Sequence, residues 1–128
     1  MVKHDFLIIG SGLAGLTKAA ASESNTKYAQ GGMAVVMDTV TDSYEQHIED
    51  TLVAGDGLCD PEIVEMVVRE APDRLKELLS WGAEFDKNQL GDFDLGIEGG
   101  HTRNRILHHK DITGFELEET LLSQVDEC

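Results

Sequence analysis

Three glycines spaced as Gly10-Ser11-Gly12-Leu13-Ala14-Gly15, directly after the apolar run Phe6-Leu7-Ile8-Ile9, are the first residues whose type and placement could hold a ligand. A β-rich run leading into that pattern reads as a dinucleotide phosphate cradle. Gly10 turns the chain out of the strand, Gly12 lets backbone approach a pyrophosphate, and Gly15 allows close helix–strand packing. N–H groups at the start of the following helix then face the anion. A glycine-rich turn before a helix also serves purely structural ends, and the strand before it is what favours a ligand here. A second stretch, residues 85–114, is rich in glycine, charge and histidine, including Gly91, Gly96, Gly99 and Gly100. Loops of this kind commonly carry function. Its His101, His108 and His109 fit no zinc spacing, and adjacent strand residues point to opposite faces, so no metal site is expected. Arg103 and Arg105 could meet a phosphate or a neighbouring acid, a surface or interdomain ion pair being the commoner outcome.

The elements that must position these groups are only partly those of a dinucleotide domain. Such a domain needs a full helix, a second parallel strand and an acid about 20 residues past the glycines. Here Lys18-Ala19-Ala20-Ala21-Ser22 follows Thr17, and at that distance the chain already reads Tyr28-Ala29-Gln30-Gly31-Gly32-Met33. The second strand is missing from the pattern. Gln30-Gly31-Gly32 reads as a turn, and Met33 to Met37 as a short buried strand or an apolar helix start. A helix is expected from Asp42 as N-cap, with Glu45 three residues on, Tyr44, Ile48 and Leu52 on one face, and an end at Gly55. A second begins at Asp60-Pro61 and turns Ile63, Met66 and Val67 inward. Pro72 predicts a break or fresh start, followed by a third helix with Leu75, Leu78 and Leu79 inward, closed by Gly82. Arg105 to His108 reads as a short strand. Thr113 to Glu116 reads as a capping box opening a last helix, with Leu117, Leu121 and Val125 on one face, that is still running at Cys128.

Composition narrows the function classes. Ten Lys and Arg against 25 Asp and Glu give a formal charge of -15, which opposes non-specific binding to nucleic acid or anionic membranes. A hydrophobic fraction of 41% over 128 residues is enough for one domain with a core. Apolar runs are too short to cross a bilayer and no signal-peptide h-region opens the chain, so a cytoplasmic protein is the expectation. Cys59 and Cys128 have no C-x-x-C spacing and suggest neither a disulfide framework nor a thiolate metal site.

Three motifs in order carry a resemblance: Thr26-Lys27-Tyr28-Ala29-Gln30-Gly31-Gly32, then His47 to Gly57 (HIEDTLVAGDG), then Glu98 to His108 (EGGHTRNRILH). With them the chain resembles the N-terminal part of the L-aspartate oxidases, flavoproteins of NAD biosynthesis grouped with the flavoprotein subunits of succinate dehydrogenase and fumarate reductase. The fold class this implies is α/β: a partial Rossmann-like FAD-binding domain with a helical insertion and the second strand of its βαβ unit absent. In that layout residues 1–37 carry the FAD-contacting region, 42–82 the helical segment, and 85–116 the substrate and flavin-side loop. The resemblance places Ser11, Gly12, Leu13 and Ala14 on the FAD pyrophosphate and Lys18 near the adenine ribose. Asn25, Thr26, Lys27, Tyr28, Ala29, Gln30, Gly31 and Gly32 would wrap the flavin, where backbone N–H groups stabilise negative charge on its reduced ring.

Asn25 stands where the succinate dehydrogenase group has a histidine bonded covalently to the flavin, so the resemblance implies non-covalent FAD. Glu98 matches the family glutamate that orients substrate and meets its ammonium, a residue suited to L-aspartate and repellent to succinate. The residue before it departs from the family, which usually has arginine where this chain has Ile97. The implied reaction is oxidation of L-aspartate to iminoaspartate, with oxygen or fumarate as electron acceptor and quinolinate synthase as a pathway partner. The family's proton-transfer arginine and capping domain have no counterpart within the 128 residues, so the chain alone is expected to hold FAD weakly and not to turn over. A fumarate reductase or succinate dehydrogenase type flavoprotein is the alternative enzyme. A non-catalytic FAD-binding or interaction module built on residues 42–82 is the alternative of another class.

Overall fold

The computed structural model describes residues 25–126; the strand and glycine run at Phe6 to Gly15, with Ser11, Gly12, Leu13, Ala14 and Lys18, lie outside them. From Asn25 the chain makes one 3-10 turn, Thr26–Tyr28, and then β1, Met33–Ala34. Helices α1, Tyr44–Ala54, and α2, Pro61–Ser80, follow. Strand β2, Ile106–Leu107, pairs antiparallel with β1 in the register Met33 to Leu107 and Ala34 to Ile106, and helix α3, Thr113–Asp126, ends the described chain. The β-ribbon is widened by backbone bonds from Val35 N–H to Arg105 O at 2.9 Å and from Gly96 N–H to Ile106 O at 2.9 Å. A hydrophobic core of Val35, Leu75, Ala83, Phe85 and Leu107 forms where the C-terminal half of α2 covers this ribbon.

Local chemistry explains most of the boundaries. Asp60 Oδ1 accepts from Glu62 and Ile63 N–H, and Pro61 sits where its missing N–H costs nothing. At the other end Gly82, at φ +97, lets its N–H reach Leu79 O and the Ala83 N–H reach Leu78 O, a Schellman ending. Pro72 does not break α2, contrary to its reading as a fresh start. One i→i−4 bond is lost there, but Val68, Ala71, Leu75, Leu78 and Leu79 keep one continuous stripe, with Val68 and Leu75 buried and the others packed around the core. That packing outweighs one missing bond. The same register corrects the expected inward face: Ile63, Met66 and Val67 are 52%, 48% and 57% exposed. Ile63 and Val67 border an apolar cleft of about 300 Å³ between α1 and α2, whereas Met66 does not line it.

Two expected caps are different too. Ser43, not Asp42, caps α1, its Oγ accepting from Gln46 N–H at 3.1 Å. Thr113 and Glu116 do not close a capping box: Thr113 Oγ1 accepts from His109 N–H, and Glu116 Oε1 accepts from Glu84 N–H at 2.8 Å. These side chains tie α3 to the ribbon, and Val125, expected on its inner face, is 69% exposed.

Candidate functional site

Antiparallel pairing of β1 with β2 brings the segment before β1 against the loop before β2. A Cβ placed on Gly31 would lie 3.8 Å from Glu98 Oε1. At Gly32 it would instead run into Ile106 Cγ2 and Leu107 O, so glycine at 32 is required by the close approach of β2. Gln30, Gly31, Gly96, Glu98 and His108 line one cavity of about 400 Å³. Among the described residues the N–H groups of Gln30 and Gly31 meet no acceptor, and both residues are exposed. Two adjacent free donors beside a carboxylate suit a ligand carrying both acceptor atoms and an ammonium.

The remainder of the 25–32 segment is held from α3. Ala29 O accepts from Gly114 N–H at 3.0 Å, and Thr26 O lies against Gly114. Asn25 caps the 3-10 turn without a side-chain bond and is exposed, as are Tyr28 and Ala29, while Thr26 and Lys27 are half-buried. His108 Nδ1 lies 3.1 Å from Asp86 Oδ2, and His109 Nδ1 lies 3.0 Å from Glu84 O. His101 packs edge-on against His47 at 5.7 Å between ring centroids. The three histidines of the loop thus have three separate surroundings, and no group of three metal-ligating side chains occurs among the described residues.

The Glu98 loop is anchored by a buried ionic cluster that sequence reasoning missed. Arg105 is fully buried; its Nε and Nη2 donate to the two Asp42 oxygens at 2.7 Å, and its Nη1 donates to Asp50 Oδ2 at 2.6 Å. Asp50 Oδ2 also accepts from the Thr102 N–H at 2.9 Å, four residues beyond Glu98. The expected surface pairing of Arg105 is therefore corrected to a buried, forked one. Burial alone would raise both carboxyls. For Asp42 the Arg105 guanidinium and Ser43 N–H reverse this, and for Asp50 the Thr102 N–H, Arg105 and Gln46 do, holding both below the ordinary carboxylate range. The signal in the sequence is a polar stripe: His47 and Asp50, three apart on α1, are its two buried residues, while Tyr44, Ile48 and Leu52 are only half-buried.

His47 sits in the same cluster, buried, its Nδ1 without a hydrogen-bond partner among the described residues. Burial, then the Arg105 charge and His101, lower its pKa, with Asp42 and Asp50 opposing. Its neutral form is favoured on folding, so its contribution is whole above the ordinary value of about 6.5 and is lost as pH falls from there toward the folded value. Asp42 and Asp50 also lose their contributions on acidification, but from about pH 4 downward. The urea midpoint of the chain is expected to drop between pH 7 and pH 5, at a slope of no more than about 1.4 kcal/mol per pH unit from this group. His47→Gln should flatten that drop; equal slopes in both proteins would contradict the assignment.

L-aspartate oxidase, chloroplastic, from Oryza sativa subsp. japonica is 48% identical over 137 positions, covering 95% of this chain and 21% of its own length. That alignment is longer than the 128-residue chain, so the rice enzyme carries internal residues that this chain lacks. Among solved structures, Mycobacterium smegmatis Sdh1 in complex with UQ1 superposes with a TM-score of 0.83 at 33% identity, covering 94% of this chain and 24% of that one. A quinol-fumarate reductase with menaquinol molecules gives 0.87 at 28% identity, covering 96% and 24%. The chain thus spans about a fifth to a quarter of the proteins it matches, and its mixed helix and sheet arrangement is that of the matching part of these flavoproteins. No described helix is long and apolar enough to cross a membrane. The family model described as FAD binding domain matches residues 5–128, and the chain belongs to that family.

Proposed function

We propose that the chain is the FAD-contacting and substrate-contacting part of an L-aspartate oxidase, acting in NAD biosynthesis, in the cytoplasm. The observation that carries this reading is the placement of Glu98 beside Gly31 on one cavity. On this reading Ser11, Gly12, Leu13 and Ala14, as the resemblance implies, would hold the FAD pyrophosphate, and Lys18 would serve the ribose. Asn25 to Gly32 would hold the flavin with backbone groups, Gln30 and Gly31 offering N–H donors that meet no acceptor among the described residues. An asparagine at position 25 has no nucleophilic nitrogen for a covalent link, so the cofactor is non-covalent. The residues that the rice enzyme has in excess belong, on this reading, between Thr17 and Lys18, where the second strand is expected.

When bound, FAD supplies the two-electron acceptor for converting an amine to an imine. The chain's own contribution is to place and select the substrate. The Glu98 carboxylate, exposed at the cavity, pairs with the substrate ammonium and fixes the α-carbon against the Gln30–Gly31 side. A substrate without an amine leaves Glu98 facing another carboxylate, which disfavours succinate. Oxygen or fumarate is the terminal acceptor of the whole enzyme, and quinolinate synthase its pathway partner. Residues beyond this segment supply proton transfer and the cap, so the chain alone holds FAD weakly; stoichiometric yellow cofactor on the purified chain would overturn that part.

The test of the main reading is a full-length relative carrying residues 25–126 of this chain. Glu98→Gln there is expected to lower kcat/KM for L-aspartate by about 10- to 100-fold, the worth of one charged hydrogen bond. Succinate turnover should stay level or rise. Equal losses on both substrates would remove Glu98 from amine recognition and favour the succinate dehydrogenase type.

A further inference from the structure

Helix α1 seats the Glu98 loop on a single face. His47, Asp50 and Ala54, spaced three and four apart, share that face, and the loop meets all of them. A turn runs from Glu98 to His101, closed by the His101 N–H donating to Glu98 O at 3.1 Å, with Gly100 at φ +91 in its third position. A Cβ on Gly100 would lie 3.3 Å from the Ala54 Cβ, so the turn rests on the end of α1. The His101 ring then packs edge-on against His47, and the Thr102 N–H and hydroxyl donate to Asp50.

The ring contact differs from the other two in what it leaves unsatisfied. The Nδ1 atoms of both His47 and His101 are shut off from solvent, with no hydrogen-bond partner among the described residues. A neutral ring can leave that nitrogen as a bare acceptor, but a protonated ring makes it a donor in need of an acceptor. The acids nearby are already engaged. Both Asp42 oxygens accept from Arg105, and Asp50 accepts from Arg105, Thr102 and Gln46. The charged and titratable groups facing His47 are Asp42 ahead of α1, Asp50 on α1, Arg105 ahead of β2 and His101 on the loop. From α2 only Ile63, Val64, Val67, Val68 and Ala71 share its cleft, and none carries charge. His101 faces His47 and belongs to the turn that carries Glu98. Burial, the Arg105 cation and the second ring outweigh the two acids and favour neutral His47.

We propose that the His47–His101 contact is a proton-sensitive latch: it keeps the Glu98 turn seated on α1 while both rings are neutral and releases it when either takes a proton. Release lets the new N–H donor reach water and moves the imidazolium away from Arg105. Both histidines are positioning residues, and neither lines the cavity that Glu98 borders. The latch stands on the α1 seat alone, whereas its effect on substrate rests on the reading that Glu98 takes the ammonium. A ring held neutral by its fold gives its whole contribution above about pH 6.5 and loses it as pH falls, by at most about tenfold in the opening equilibrium per pH unit.

Amide hydrogen exchange of the full 128-residue chain between pH 7 and pH 5 is the test. Protection factors, which remove the intrinsic pH dependence of exchange, are expected to fall about tenfold at His101 and Thr102. They should not change in dilute urea, the mark of a local opening, and the α2 amides of Leu75 and Leu78 should stay better protected at pH 5. His47→Phe keeps a ring against His101 and takes no proton; it and His47→Gln should lessen the fall. His47→Phe combined with His101→Phe should abolish it. Protection at His101 and Thr102 that is indifferent to pH, or that falls only in step with Leu75 and Leu78, overturns the proposal. So does an undiminished fall in both single variants. In a full-length relative carrying residues 25–126, KM for L-aspartate should rise over the same pH range more than kcat falls, and less so with His47→Gln. A flat KM beside falling protection would uphold the latch and count against Glu98 as the ammonium site.

Discussion

Arg105→Ala is expected to abolish cooperative unfolding of the chain. The guanidinium is the shared partner of two buried carboxylates, and removing it leaves them with uncharged donors, Ser43 N–H for Asp42 and Thr102 and Gln46 for Asp50, and no cation to balance their charge. Breaking one buried ion pair by deleting a partner costs about 3–5 kcal/mol, and here two acids lose the same cation. Domains of this size are stable by about 5–15 kcal/mol in all. A urea titration of the purified variant should show a broad or absent transition. Arg105→Lys keeps the charge but loses the fork to Asp42, and should fall between the two. Combining Arg105→Met with Asp42→Asn and Asp50→Asn removes the stranded charges and should recover much of the loss. A single variant with a sharp transition and a midpoint near the parent's would contradict the cluster's role.

Gly114→Ala should be the most damaging change of one methyl group. The new Cβ would meet Thr26 O, with Ala29 Cβ at 2.8 Å and Ala29 O at 3.0 Å. Two of these are backbone atoms, and neither can rotate away. Overpacking of this kind costs about 1–3 kcal/mol, and loss of the Gly114 N–H bond to Ala29 O adds about 1 kcal/mol. The expected outcome is a drop of about 3 kcal/mol in unfolding free energy, with faster amide exchange at Tyr28 and Ala29. Because β1 follows four residues after Ala29, the displaced turn would also carry Gly31 away from Glu98. Unaltered exchange at Tyr28 and Ala29 would show that α3 does not hold the segment.

Much of the local structure could be read from residue types. Asp60-Pro61 announces the start of α2 and Gly82 its end, because those signals act on neighbouring N–H and C=O groups. The failures share one cause. Asp42 looks like a cap, but its carboxylate is taken by Arg105, 63 residues later. Glu116 looks like half of a capping box, but it accepts from Glu84, 32 residues earlier. Pro72 looks like a break, but the core contacts of Val68, Ala71 and Leu75 carry the helix through it. In each case a distant partner outcompetes the local one. Glu98 and the 25–32 segment were legible as motifs, yet their meeting depends on strand register, which neither motif encodes.

The forked pairing of Arg105 also defines what can be exchanged between relatives. A loop carrying Glu98 reaches its place only with Thr102 and Arg105 seated on acids contributed by residue 42 and by α1. Recombination with a breakpoint between positions 50 and 102 would part the loop from its seat unless both parents supply matching acids. Residues 42–105 therefore form a natural crossover block, and chimeras built to move substrate preference from one flavoprotein to another should transfer it whole.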